Sequence, residues 1–480
     1  MEPGGGAALP RRDPRRHPRA DPGSGPPLPR RVVREARAHA EEEGFVRRAR
    51  LRAVPVAALA LLLGASPGPI AAESRKSELP NGLTVLVNEN PAAPLVAVSL
   101  FIRVGTRWET ADDAGITTLL QQVLAKGTTS RSALEIALAA ERIGGGIGAS
   151  SDADFSEIRG TALGRHWRTL LELIADIALH PSLPADELDG ERRQLLRAIR
   201  NRQDQPYPVA FDAVLARLYG GHPYGAPPLG RAAALERLDG SALRAHYERY
   251  YRAGRMILSV SGDVSNAEVV TEAARLFSES PPGAGGPDAA VPAVAGAPGR
   301  VGVAHPSAQA QVLMAFLAPS VAHPDYAAMK LLVTALGGGM GGRLFTELRD
   351  KQGLAYSTGA AYPSRVGPSY LLTQMGTAPA NAARAEEAMR QEIERIRDTG
   401  LSERELRRAR TYLLGQFALD RRTNARLAWY AAFFESAGVG HDFARRYERD
   451  VEAVTVSDVR RVASIYLVAP TVVSLGPSTP

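Results

Sequence analysis

Hydrophobic and polar positions along the chain fall into short alternating runs and longer runs with helical spacing. Leu83–Val87, Val96–Arg103, Ile147–Ser151, Phe155–Leu163 and Met256–Ser261 read as strands; Gln311–Leu317, Thr358–Tyr362 and Tyr370–Met375 read the same way. In the stretch Gly115–Thr128, Ile116, Leu119, Leu120, Val123 and Leu124 recur as one apolar face of an amphipathic helix. Further helices are expected over Ala133–Ile143, His166–Leu179, Pro184–Gln203, Val209–Leu218, Gly240–Tyr251, Pro324–Leu336, Ala380–Asp398 and Glu403–Ala418. Gly144-Gly145-Gly146 should stop the second of these, and Ser402 with Glu405 forms a capping box for the last.

The pattern occurs twice. Leu183-Pro-Ala-Asp-Glu-Leu188 corresponds to Leu401-Ser-Glu-Arg-Glu-Leu406, and Leu238-Asp-Gly-Ser241 with Tyr250 corresponds to Val454-Thr-Val-Ser457 with Tyr466. The period is too long for a stacking repeat, so it marks two copies of one domain. Between them, Pro281–Arg300 has the composition of a flexible connector. The expected division is 73–280 for the first domain, 281–298 for the linker and 299–480 for the second.

Charge changes the picture only at the front. The formal charge of +7 resides mostly in residues 1–52, with 13 Lys+Arg against 7 Asp+Glu; beyond Ala72 the balance is 45 to 44. Nucleic-acid binding therefore has no basis in the body of the protein. Residues 1–46 are Pro-, Arg- and Gly-rich and read as a disordered or mis-assigned leader, with translation expected to begin near Val46. Arginines 47 to 52 followed by apolar Ala53–Ala65 and small residues up to Ala72 read as a signal peptide over 47–72, which implies a periplasmic or secreted protein, or one anchored by an uncleaved segment. With no cysteine, no disulfide framework is possible.

Thr118, Gln121 and Gln122 share one polar face of the Gly115–Thr128 helix, a neutral face that reads in isolation as solvated. Together with the leading glycine and the closing Lys126-Gly127-Thr128, it resembles the zinc helix of the pitrilysin-type (M16) metallopeptidases, whose pattern runs G-I-x-H-F-L-E-H-M-L-F-K-G-T. The two histidines then fall on Thr118 and Gln122, the catalytic glutamate on Gln121, and the third-ligand region on Arg197-Ala198. Neither H-x-x-E-H nor H-E-x-x-H occurs anywhere, and His222 and His246 read as satisfied structural histidines.

The resemblance runs from Glu78 to near the end of the chain. It implies an α+β fold of two homologous M16-type domains, each a mostly antiparallel sheet packed against helices, forming half of a clamshell. It implies that the strand after Gly144–Gly146 is a sheet edge onto which substrate backbone pairs. In the second domain, Gly337–Arg343 lacks the P-loop order, but Arg349 and Tyr356, seven residues apart, match a family pair that faces the zinc site of the other half. The expected role is a non-catalytic subunit with no cofactor of its own. It would pair as a heterodimer with an H-x-x-E-H subunit holding the zinc, act on peptide substrates and bind no nucleic acid. The alternative is a structural or peptide-binding homologue with no part in catalysis.

Overall fold

The structure is a computed structural model and describes residues 74–283 and 292–477. The leader and signal peptide expected over 1–72 lie outside the described residues, as do 284–291 of the linker. Among the described residues no helix is long and apolar enough to cross a membrane.

Two sheets organise the chain. The first holds β1 (Arg75–Glu78), β2 (Thr84–Glu89), β3 (Leu95–Ile102), β4 (Gly146–Ser151), β5 (Ser156–Leu163) and β6 (Met256–Gly262) in the order β1-β2-β6-β3-β5-β4. The second holds β7 (Gly299–Ala304), β8 (Ala310–Ala318), β9 (Ser357–Ala361), β10 (Ser369–Thr377) and β11 (Thr471–Gly476) in the order β7-β11-β8-β10-β9. Each contains one parallel pair, β2 with β6 and β7 with β11, and is otherwise antiparallel. Apart from the extra edge strand β1, the two orders are the same. This is the repeat seen in sequence, now as topology.

The first half contributes helices α1 (Ile116–Leu124), α2 (Ala133–Arg142), α3 (Trp167–Leu179), α4 (Ala185–Gln203), α5 (Pro206–Tyr219), α6 (Ala232–Leu235), α7 (Gly240–Tyr250) and α8 (Asn266–Leu276). The second contributes α9 (Tyr326–Gly337), α10 (Ala382–Thr399), α11 (Glu403–Asp420), α12 (Asn424–Ser436), α13 (Phe443–Ala453) and α14 (Val456–Tyr466), with a π-helix at Leu344–Lys351 in the place α2 occupies in the first half. The expected capping box is present on α11, where the Ser402 hydroxyl accepts from the Glu405 N–H.

Two of these helices cross over. Helix α5 packs on β8 and β11 of the second sheet, burying Ala210, Val214 and Leu218 with Leu313, Ala315 and Val473. Its counterpart α12 packs on β2, β3 and β6 of the first sheet. There Trp429 and Phe433 meet a stacked pair, Phe101 on Phe155 at 4.2 Å. Each sheet thus completes its core with a helix from the other half, so removing either half would expose apolar surface on its neighbour.

A buried polar network reinforces this exchange. Asp154, before β5, accepts from the Tyr224 hydroxyl and from the Val366 N–H at 3.0 Å, and pairs with Arg107 at 3.4 Å. The Gly367 N–H donates to the Tyr224 oxygen at 3.0 Å, and the Tyr219 hydroxyl donates to the Pro368 carbonyl at 2.9 Å. The His222-Pro-Tyr-Gly225 turn therefore holds the loop before β10.

Candidate functional site

Helix α1 keeps its frame by means that need no metal. Gly115 caps it with φ +109°, a conformation rare for any other residue, and a Cβ there would meet the Leu235 side chain at 2.8 Å. The free N–H groups of Gly115 and Thr117 donate to the two carboxylate oxygens of Glu109 at 2.8 and 2.9 Å. At the far end, Lys126 Nζ pairs with Glu191 of α4 at 2.7 Å, and the Thr128 hydroxyl donates to Asp176 at 2.9 Å. The closing Lys-Gly-Thr is thus held by packing and charge.

Burial pushes the Glu109 carboxyl up to about 7, against the lowering effect of the two N–H donors. Because its folded pKa exceeds the unfolded value, its contribution is fully present below about 4.5 and is lost as pH rises through 7. Glu109→Gln should remove on the order of 2–3 kcal/mol from the difference in unfolding free energy between pH 5 and pH 8. Urea melts of both proteins across that range measure it; an unchanged difference would contradict the assignment.

The polar trio does not form the solvated face that such residues suggest in isolation. Gln121 is only 1% exposed and its amide donates to the Tyr251 hydroxyl, which also bonds Ser156 and whose phenol burial pushes well up. Gln122 is half-buried, with a carbonyl oxygen that has no hydrogen-bond partner. Thr118 shares a hydrogen bond with Ser151 of β4 at 3.1 Å. The reason lies in α1's neighbours: it is packed by β4, α4 and α7, so its polar face is turned onto protein.

Helix α4, which carries the third-ligand region, packs on α1. Its Arg197 is exposed and Ala198 half-buried. A hydroxyl, two carboxamides, a guanidinium and a methyl group supply no imidazole, thiolate or carboxylate, so zinc does not fit this set of residues. Among the described residues no group of three or more His, Cys, Asp or Glu side chains is placed to hold a metal. Gln121 also cannot take a proton from water, having neither the basicity nor access to solvent.

The isolated histidines differ from one another. His222 is buried, its Nδ1 accepts from the Tyr224 N–H at 3.1 Å, and burial, then Arg107, lowers its pKa. His246 is not satisfied in this way. Its Nε2 is buried without a hydrogen-bond partner, and burial lowers its pKa to about 4, leaving the ring neutral.

The strand after Gly144–Gly146, β4, is the free edge of the first sheet. Gly144, at φ +69°, ends α2, and a Cβ on Gly145 would stand 1.6 Å from the Thr161 carbonyl oxygen. A cavity of about 590 Å³ runs beside this edge, lined by Gly146, Ile147, Gly148, Arg159 and Trp429 among others.

Arg349 and Tyr356 are placed by the π-helix and the start of β9, the edge strand of the second sheet. A π-helix is rare and tends to occur at functional positions. Hydrophobic spacing in the sequence assigns no element to Leu344–Lys351. Arg343 anchors its start through paired hydrogen bonds to Glu405 at 2.7 and 3.1 Å and another to the Gly400 carbonyl at 2.9 Å. Burial raises the Glu405 pKa, but bonds from Arg343 and Ser402 outweigh that and hold it at about 2. At the other end, the Tyr356 N–H donates to the Gly376 carbonyl and the Thr377 hydroxyl to the Leu354 carbonyl. The backbone is held by hydrogen bonds while the two side chains reach the surface. Arg349 is exposed with its guanidinium over Phe345 at 4.9 Å, and Tyr356 is 59% exposed.

Comparison with known proteins agrees with this geometry. The family model described as insulinase (peptidase family M16) matches residues 84–231, and that described as the peptidase M16 inactive domain matches 237–413. An uncharacterized zinc protease of Mycobacterium tuberculosis H37Rv is 29% identical over 394 residues, covering 81% of this chain and 90% of the relative. One from Bacillus subtilis is 27% identical, covering 72% and 85%. A crystal structure described as the peptidase M16 inactive domain from Pseudomonas fluorescens superposes with a TM-score of 0.80 at 23% identity, covering 85% of this chain and 99% of that one. A protease from Helicobacter pylori gives 0.77 at 22%, covering 85% and 100%. Two family models that together span most of the described residues, and the duplicated fold they imply, place this chain in peptidase family M16.

Proposed function

We propose that the protein is a non-catalytic subunit of an M16-type zinc peptidase, pairing with a separate chain that carries an intact H-x-x-E-H helix. Zinc, and the base that activates water, belong to that partner. Arg349 and Tyr356 complete its site: the tyrosine hydroxyl donates to the carbonyl oxygen as negative charge develops, and the guanidinium holds a substrate carbonyl or carboxylate. Peptides or unfolded segments are the substrates, bound partly by strand addition at the free edge of β4. The protein works in the periplasm or outside the cell, a reading that rests on residues 47–72 of the sequence.

The observation that carries this reading is a contrast in exposure. The side chains at the zinc-helix positions are turned into the protein, while Arg349 and Tyr356 project from a rigidly anchored backbone with no hydrogen bond to other side chains among the described residues. Affinity purification from the native host should recover an H-x-x-E-H subunit, and the pair should cleave an unfolded peptide that neither chain cleaves alone. Stable assembly without any peptidase partner would instead establish a structural role.

A further inference from the structure

A cavity of about 850 Å³ lies at the junction of the halves, bounded by Asp152 and Phe155 of the first and by α9, α11 and α12 of the second. Its wall is aromatic, with Tyr326, Phe417, Trp429, Tyr430, Phe433 and Phe434 facing it. Into this wall α9 sets Lys330. Its Nζ donates to the Tyr362 carbonyl at 2.8 Å and lies 5.2 and 5.0 Å from the ring centres of Tyr326 and Tyr362.

An ammonium has three protons to donate, and the structure gives Lys330 one acceptor. No carboxylate forms an ion pair with it among the described residues. The carboxylates of the wall are already matched, Asp420 by Arg426 at 2.6 Å and by the Tyr430 hydroxyl at 2.7 Å, and Asp152 by Arg365, while the remaining cation, Arg422, is exposed to solvent. Arg422 donates to the Leu419 carbonyl at 2.7 Å. Burial lowers the Lys330 pKa to about 8, so near neutral pH it is still mostly charged. A half-buried cation without a counter-charge is costly, and here it borders a space of the size that small molecules occupy.

The geometry points to a binding site for an apolar carboxylate, whose anion pairs with Lys330 Nζ and whose aliphatic or aromatic body lies against Trp429 and Phe433. The same chemistry is offered by a free aryl or alkyl carboxylic acid and by the C-terminal residue of a hydrophobic peptide. The inference uses neither Arg349 nor Tyr356 and stands apart from the proposed pairing.

Titrating the intact protein with 4-phenylbutanoate and with Gly-Gly-Gly-Phe, each as free acid and as amide, tests it by calorimetry and by tryptophan fluorescence, to which Trp429 contributes along with Trp108 and Trp167. At least one acid should bind, with its amide weaker by about tenfold or more. Lys330→Met should weaken the acid by a similar factor while Lys330→Arg retains it. Binding by phenylbutanoate alone identifies a free acid as occupant, and binding by the peptide acid alone identifies a chain terminus. Equal binding of acid and amide, or no binding at millimolar concentration, would overturn the site. That comparison on the unmodified protein remains decisive even where Lys330→Met fails to fold.

Discussion

Replacing Tyr356 with phenylalanine should lower peptide turnover by the assembled pair by roughly 10² to 10³, with little change in KM. The substitution removes one oxygen from a side chain that is 59% exposed and leaves its backbone bond to Gly376 intact. Folding and assembly should therefore survive, which separates a transition-state donor from a structural residue. A donor to a developing oxyanion is stronger in the transition state than in the bound substrate, so its loss appears in kcat. Arg349→Ala is expected to act more on KM, because a guanidinium that holds a substrate carbonyl or carboxylate does so before and during reaction. Wild-type turnover in the Tyr356→Phe pair would remove the catalytic assignment.

Asp154→Ala carries the second large expectation, a loss of about 3–5 kcal/mol in unfolding free energy measured by urea denaturation. Asp154 is 5% exposed and serves three groups from two halves of the chain: the Tyr224 hydroxyl, the Val366 N–H and the Arg107 guanidinium. Alanine leaves the Tyr224 hydroxyl and the Val366 N–H without their acceptor and Arg107 without its counter-charge, and the cost of an orphaned buried donor exceeds the gain from the bond itself. Asp154→Asn, which keeps an acceptor oxygen, should cost less. The loss is a large share of the stability typical of a domain, about 5–15 kcal/mol. Measuring less than about 1 kcal/mol would show that α5 and α12 alone hold the halves together.

Local periodicity made most of this fold legible. The strand expected over Val96–Arg103 is found at Leu95–Ile102, and the helix read within Gly115–Thr128 spans Ile116–Leu124. Hydrophobic spacing says that a helix has an apolar face, but not which sheet it meets, and so the exchange of α5 and α12 could not be read in advance. Glu109 was missed for a related reason. Its oxygens reach forward six and eight residues to cap α1, farther than the usual capping motifs extend. The trio Thr118, Gln121 and Gln122 reads in isolation as a solvated face, a reading that does not carry over to the fold because β4, α4 and α7 pack on α1. Chemistry was more legible than exposure. Side-chain identity alone fixes what Gln121 or Ala198 can donate, whereas burial depends on partners distant in sequence.

The most direct test of the central claim is a peptidase assay on the isolated chain, freed of other M16 proteins and supplied with zinc. No hydrolysis above background is expected, with or without the metal, because Thr118, Gln121, Gln122, Arg197 and Ala198 offer no imidazole, thiolate or carboxylate to bind it. Cleavage that a chelator abolishes and added zinc restores would contradict it.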